Sequence, residues 1–341
     1  MFSNDIGIDL GTANTLVYLK GHGIVINEPS VVVVNQKTRQ IVAVGAEAKQ
    51  MLGRTPGHIK AVRPVVDGVI SDFEVTEEML TYLINKTEKI SKKFIRPRVV
   101  VGVPTGITNV EIRAVEDAAH SAGAREVYIV EEPMSAAIGI RLPIHEAVGS
   151  IIVDMGGGTT DVAVISLSGV VRSKNLKIAG DLLNTNIMNY MKDEFKLLIG
   201  ERTAENIKIA IGSVIEGEPM EAEVRGRDLV TGLPRQVIVT DSDIREAIMP
   251  SVYSLVDGIK EVLETTPPEL LSDIIHRGLV LSGGGALLRG LDVMLQNILK
   301  IPIYVAEDPL TAVARGTGII LEEFDTFKDV LLNTDDTSVP R

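Results

Sequence analysis

No cysteine occurs anywhere in the 341 residues, which excludes disulfides, thiolate metal sites and cysteine nucleophiles. That composition suits a reducing cytosol. Tryptophan is also absent and aromatic residues make up only 4% of the chain, so the stacking platform that holds single-stranded nucleic acid is missing. Positive charge is in deficit. A net charge of −12 lacks the clustered Lys and Arg on which affinity for a phosphate backbone rests, and no nucleic-acid partner is expected. No apolar run reaches the roughly 18 residues of a membrane span. Met1-Phe2-Ser3-Asn4-Asp5 passes into a strand pattern without the basic and apolar regions of a signal peptide, so the expected location is cytoplasmic. The five histidines are scattered, with no pair at metal-ligand spacing. Neither G-x-x-x-x-G-K-[ST] nor G-x-G-x-x-G occurs, which excludes the P-loop and dinucleotide fingerprints.

What the chain does have is 45% hydrophobic residues, enough to fill the cores of about two domains at roughly 150 residues each. It also has two Gly-rich turns, each opening on an aspartate that ends an apolar strand: Asp9-Leu10-Gly11-Thr12-Ala13-Asn14 and Asp154-Met155-Gly156-Gly157-Gly158-Thr159-Thr160-Asp161. A bare glycine lets backbone N–H groups approach phosphate oxygens, and a short hydroxyl residue adds a donor. The strand-end carboxylates, Asp9 and Asp154, have the chemistry to hold Mg²⁺ through water, since that ion keeps most of its hydration shell. One such turn reads equally well as a plain β-turn with a capping aspartate. Two near-copies in different halves point instead to duplicated domains gripping one polyphosphate from both sides.

The apolar patterning fits an α/β fold. Strands are expected at Ile6 to Leu10, Thr15 to Leu19, Ser30 to Val34, Arg98 to Val103 and Glu126 to Val130. Apolar spacing of three and four residues predicts a helix from Thr76 to about Lys89. Thr108-Asn109-Val110-Glu111 has the capping-box pattern of another, running to Ser121 and stopped by Gly123. Glu131-Glu132-Pro133 opens a third, with Pro in its first turn. The pattern restarts near Ser150, which places a domain crossing at Leu142-Pro143-Ile144-His145. Beyond it come strands at Ile151 to Val153 and Val162 to Ser166, and a helix from Leu182 to Phe195. A further helix spans Thr203 to Val214, followed by a polar two-stranded insert from Glu221 to Thr240 turning at Thr231-Gly232. A long helix then runs from Asp241 through Pro250, and another is capped by Thr266. Leu279-Val280-Leu281 feeds a third Gly-rich turn, Ser282-Gly283-Gly284-Gly285.

Asp9, Glu132, Asp154 and Gly283 thus fall at carboxyl ends of strands, where α/β folds bind ligands. Glu132 has a bland reading, an acid favoured by a helix N-terminus. Across from a γ-phosphate it can also orient an attacking water, with Thr159 or Thr160 holding that water or the phosphate. Neither turn contains Lys, which predicts slow turnover.

The quoted turns, together with Asn27-Glu28-Pro29-Ser30, Gly53-Arg54-Thr55-Pro56-Gly57, Arg63-Pro64, Asp67-Gly68-Val69-Ile70, Ile199-Gly200-Glu201-Arg202-Thr203-Ala204-Glu205, Thr266-Pro267-Pro268-Glu269-Leu270 and Gly283 to Leu291, resemble the MreB family of bacterial rod-shape actins over nearly the whole chain. The resemblance implies an actin-like ATPase fold, two duplicated α/β domains with a nucleotide cleft between them. It implies one domain from residues 1–143 plus about 316–333, with a small subdomain at about 30–75. The other covers 144–315, with a small subdomain at about 183–245, and 334–341 form a flexible tail. By similarity, Gly11, Thr12, Ala13 and Asn14 hold phosphates with Gly156, Gly157, Gly158 and Thr159. Glu205 and Lys208 lie by the ribose or base, and Gly284, Gly285, Ala286 and Leu287 by the adenosine. Glu132 and Thr159 match the residues assigned to hydrolysis. Asp161 stands where many relatives have Glu, and Met155 where Ile is common. The resemblance further implies ATP and Mg²⁺ as cofactors and self-assembly into double filaments on the inner face of the cytoplasmic membrane, where they act with the cell-wall elongation machinery. The family's N-terminal amphipathic helix is not evident here. The loop Ser91 to Arg98 offers Phe94 and Ile95, flanked by cations, as the membrane contact. A sugar-kinase-like phosphotransferase using the same clamp is the alternative. A chaperone ATPase is a further one, for which the chain leaves no room for a peptide-binding module.

Overall fold

The structure, a computed structural model, describes residues 4–91 and 96–332. Phe94, Ile95 and the 334–341 tail lie outside the described residues. Two five-stranded sheets carry the molecule, and each is built in the same order. In the first, Ile6–Leu10 pairs antiparallel with Asn14–Leu19, which pairs with Gly23–Pro29, while on its other side it runs parallel to Arg98–Val103 and then Glu126–Glu131. In the second, Ser150–Met155 takes the first role, flanked by Thr160–Ser166 and Gly169–Leu176 on one side and by parallel Leu279–Ser282 and Ile303–Val305 on the other. The duplication read from the two turns is therefore a duplication of whole sheets.

The central strands are continuous apolar runs because both faces are covered. Val99, Val101 and Val103 point into a core shared with Ile6, Ile8, Met79 and Leu83, whereas Val100 between them points the other way, with Val130. In the second sheet, Ile151, Val153 and Met155 join one core and Ile152 the other. Alternation with period two puts successive side chains on opposite faces. The cluster holding Val100, Val130, Ile152, Ala163 and Ile165 is thus common to both sheets. It is filled by two helices, Glu132–Gly139 and Ala312–Glu322.

Those helices approach backbone to backbone. A Cβ on Gly316 would sit 1.8 Å from the Ser135 carbonyl oxygen, and one on Gly139 2.0 Å from that of Ala312. Ser135 Oγ donates to Val313 O at 2.9 Å across the same contact. Smaller units complete the fold: a three-stranded sheet of Ile41–Val44, Val32–Asn35 and Ile59–Val62, and another of Leu197–Leu198, Glu221–Asp228 and Pro234–Thr240.

Most expected elements are present with shifted ends. The helix expected from Thr76 spans Phe73–Ser91, and that expected from Thr203 to Val214 spans Glu201–Ile211. The expected Leu182 to Phe195 helix is Gly180–Asp193, so Phe195 lies past its end. Thr108 caps its helix through a capping box with Glu111, as the spacing predicts. The 241–264 helix runs through Pro250 without a break and carries a second capping box, Thr240 with Asp243. The Thr266 cap fails. Pro267 occupies the cap position, and Thr266 Oγ1 instead donates back to Val262 O at 2.7 Å, closing the preceding helix. Ser30 leaves the expected strand to hold the first Gly-rich turn.

Candidate functional site

The first turn is pinned from behind. Ser30 Oγ donates to Gly11 O at 2.5 Å and shares a 2.8 Å hydrogen bond with Thr15 Oγ1, while Ser30 N–H donates to Ala13 O. A Cβ on Gly11 would lie 2.7 Å from Asn14 O, so the tightness of the turn requires glycine. The second turn is closed by Gly156 N–H donating to Thr159 O at 2.9 Å. It is extended by Gly180 and Asp181, whose N–H groups donate to Gly156 O and Gly157 O at the start of the 180–193 helix.

The two turns meet edge to edge. A Cβ on Gly157 would be 2.6 Å from Ala13 Cβ, and one on Gly158 2.6 Å from Thr12 Oγ1. Thr12 Oγ1 also accepts from Gly68 N–H at 3.0 Å. The third turn closes the group, since a Cβ on Gly285 would be 2.6 Å from Met155 Cβ, and Gly283 at φ +77° packs on the Met155 backbone.

Around these turns lies one cavity of about 480 Å³. It is lined by Asp9, Gly11, Thr12, Ala13, Asn14, Glu132, Asp154, Gly156, Gly157, Gly158, Thr159, Glu205, Lys208, Gly284, Gly285 and Leu287. Residues far apart in the chain, chosen from sequence, are brought to a single space. Ala286 is not among the lining residues. It is 4% exposed and its methyl group belongs to the core of the second sheet, because the short 3₁₀ turn Gly284–Leu287, at three residues per turn, points this one of its residues inward.

The cavity floor is acidic. Burial, then the Asp154 charge, pushes the Asp9 carboxyl from 3.8 up to about 8. Burial raises Asp154 to about 6, against a 2.6 Å hydrogen bond from Ser282 Oγ that favours its ionised form. Glu132 is pushed well above the usual carboxylate range by burial and by the charges of Asp161, Asp9 and Asp154. Among the described residues no cationic side chain offsets these three. No three acidic or imidazole groups there come together closely enough to ligate a metal directly. A hydrated divalent cation fits that donor set: the carboxylates need positive charge yet stand too far apart to form a dry cage.

Several neighbours complete the site. Asp161 is 1% exposed and accepts from Thr105 N–H and Oγ1 at 2.8 and 2.6 Å and from Asn175 Nδ2 at 3.1 Å, which ties the turn after the first sheet's Arg98–Val103 strand to the second sheet. Asp181 lines the cavity and pairs with Arg63 at 2.6 Å, and Arg63 also meets Glu201. Lys49 pairs with Glu205 at 3.2 Å. Lys208 Nζ donates to Gly180 O at 2.8 Å, and burial lowers its pKa against the pull of Glu205, Asp181 and Glu201. Asp161 and Arg63 stand in motifs legible in the sequence, whereas Asp181, Lys49 and Asn184, the last at 4% exposure, do not.

The family model described as MreB/Mbl protein matches residues 3–329. The chain belongs to the MreB/Mbl family. This family membership over the whole length sets the phosphotransferase alternative aside. The chain is 55% identical over 332 residues to the cell shape-determining protein MreB of Escherichia coli K12, covering 95% of each. It is 52% identical over 326 residues to the cell shape-determining protein Mbl of Bacillus subtilis 168, covering 95% of this chain and 98% of that one. Among solved structures, MreB5 of Spiroplasma citri bound to ADP superposes with a TM-score of 0.90 at 37% identity, over 95% of this chain and 98% of that one. The AMPPNP-bound form of MreB5 gives 0.89, over 95% of this chain and 97% of that one. The MamK double helical filament, 24% identical over 93% of this chain and 98% of that one, shares the fold with a TM-score of 0.79. The fold of this MreB/Mbl-family chain is the actin-like one. Among the described residues no helix is long and apolar enough to cross a membrane.

Proposed function

We propose that this chain binds ATP with Mg²⁺ between its two Gly-rich turns, hydrolyses it slowly, and uses the nucleotide state to govern assembly. The assemblies are double filaments at the inner face of the cytoplasmic membrane, directing cell shape with the cell-wall elongation machinery. The observation that carries the reading is the direct packing of Gly157 on Ala13 and Gly158 on Thr12 above a buried acidic floor. Two sets of backbone donors face one space there, as a polyphosphate requires. Relatives named for cell shape, and a relative of 37% identity solved with ADP and with AMPPNP, support it.

In this reading the backbone of Gly11 to Asn14 and of Gly156 to Gly158 holds the phosphates, and Glu205, Lys208, Gly284, Gly285 and Leu287 hold the nucleoside. Mg²⁺, held through water by Asp9 and Asp154, supplies positive charge against the phosphates. Glu132 orients the attacking water and Thr159 gives its hydroxyl to that water or the γ-phosphate, so positioning does most of the catalysis. Residues 1–143 with about 316–333 form one body and 144–315 the other, meeting where Gly139 packs against the Ala312 carbonyl. Phe94 and Ile95, with the cations around them, make the membrane contact.

Electron microscopy of the purified protein with Mg-ATP on an anionic lipid layer is expected to show paired filaments. A protein that stays monomeric under those conditions overturns the reading. Glu132→Ala is expected to slow phosphate release by about 100-fold, the usual range for removing a general acid–base group, while ATP still binds. Release at the wild-type rate would remove Glu132 from the mechanism.

A further inference from the structure

The cavity wall formed by the 180–193 and 201–211 helices carries four polar side chains, and three are already engaged within the protein. Asp181 is paired with Arg63, Glu205 with Lys49, and Lys208 donates to Gly180 O. The fourth is Asn184. It lines the cavity, is 4% exposed, and its Oδ1 has no hydrogen-bond partner among the described residues. A buried acceptor left without a donor is destabilising, and native proteins keep few of them. Reorienting this carboxamide about χ2 breaks no bond to Oδ1.

We propose that Asn184 is a ligand-contacting residue whose Oδ1 accepts a hydrogen bond from a sugar hydroxyl of the bound nucleotide, so that the cleft discriminates ribonucleotides from deoxyribonucleotides. The proposal rests on the nucleotide reading above. Its position argues for the sugar. Gly180 and Asp181 donate to the carbonyls of Gly156 and Gly157 in the second turn, so that end of the helix sits on the phosphate cradle. Asn184 is four residues beyond Gly180, on the same helix face and one turn away, a rise of about 6 Å. A nucleotide with its phosphates on the turn presents its ribose at about that remove and its base farther on. Phosphate oxygens only accept, so they would take the Nδ2 amide and cannot satisfy Oδ1. A ribose hydroxyl donates.

Calorimetry on the full chain with Mg²⁺ tests this with ATP, 2′-deoxy-ATP, 3′-deoxy-ATP and purine riboside triphosphate, the last lacking the amine of adenine. The wild type is expected to bind ATP about 5- to 10-fold more tightly than one of the two deoxy analogues, the range for one hydrogen bond. Asn184→Leu keeps the shape without the acceptor. It should bring that ratio to about one by weakening ATP while leaving the deoxy analogue unchanged. Asn184→Asp keeps the acceptor and should keep the ratio. If Asn184→Leu fails to fold, Asn184→Ala carries the same expectation. Equal wild-type affinity for ATP and both deoxy analogues overturns the proposal, as does a wild-type ratio in the Leu or Ala variant, or sensitivity confined to the purine riboside. Wild-type protein that binds none of the four overturns the nucleotide reading itself.

Discussion

The acids on the cavity floor set the pH behaviour of the protein in the absence of a cation. Asp9 at about 8 and Asp154 at about 6 both lie above their unfolded value of 3.8. Such carboxyls bind protons more tightly folded than unfolded, so their protonated forms favour the native state below pH 4 or so. That contribution drains away as the pH rises through the folded values. The metal-free, nucleotide-free protein should therefore lose on the order of 1–3 kcal/mol of stability between about pH 5 and pH 8. Thermal melts at constant ionic strength measure it, and Asp9→Asn should flatten the upper part of the fall. A wild-type melting temperature independent of pH in that window would mean the acids are not uncompensated. These residues were readable in the sequence because strand, acid and glycine follow one another locally. The role of Asp161 is not legible in the same way, since its partner Thr105 comes from the turn after Arg98–Val103 and Asn175 from the Gly169–Leu176 strand.

At the scale of elements, two helices separate what sequence can and cannot say. Glu132–Gly139 announces itself by Glu131-Glu132-Pro133 after a strand. Ala312–Glu322 does not: it is apolar or small on nearly every side, with two glycines, and has no cap hydrogen bond from a side chain. What makes it a helix is its neighbours, for Gly316 lets it lie against Ser135, Gly139 makes room for its Ala312 carbonyl, and Gly318 lies against the Tyr18 ring. Gly→Ala inside a helix ordinarily gains about 1 kcal/mol. Gly316→Ala should do the opposite, costing about 2–4 kcal/mol because its methyl group would overlap the Ser135 carbonyl. Urea denaturation at 25 °C checks this, and an unchanged or raised midpoint would refute the close contact. The Thr266 cap shows the same limit from the other side, since a hydroxyl before two prolines can serve either helix and the tertiary packing chose the earlier one.

Across the whole molecule, the cleft is bridged on its open side by charge. Arg63 reaches Asp181 and Glu201, Lys49 reaches Glu205, and Lys177 reaches Asp67 at 3.2 Å. Partly exposed pairs contribute little to global stability, so Arg63→Ala should change it by less than about 1 kcal/mol. Their effect lies in closure. The same variant should raise hydrogen exchange across Gly156 to Asp161 in the nucleotide-free protein and weaken ATP binding about 3- to 10-fold, because the closed cleft would be less populated. Exchange unchanged in that segment would show that the pairs do not hold the halves together.

Sequence by itself determined the two phosphate-type turns, the strands that deliver them, the duplicated plan and the family, because each is written in contiguous residues and in their spacing. Only the tertiary structure decided that Gly157 rests on Ala13, that Asp9, Glu132 and Asp154 share one floor, that Ala286 turns into the core and that Asn184 is left without a donor. The reason is physical. A turn is fixed by its own backbone, whereas the charge state of a carboxylate and the partner of a buried amide depend on groups that only folding brings near.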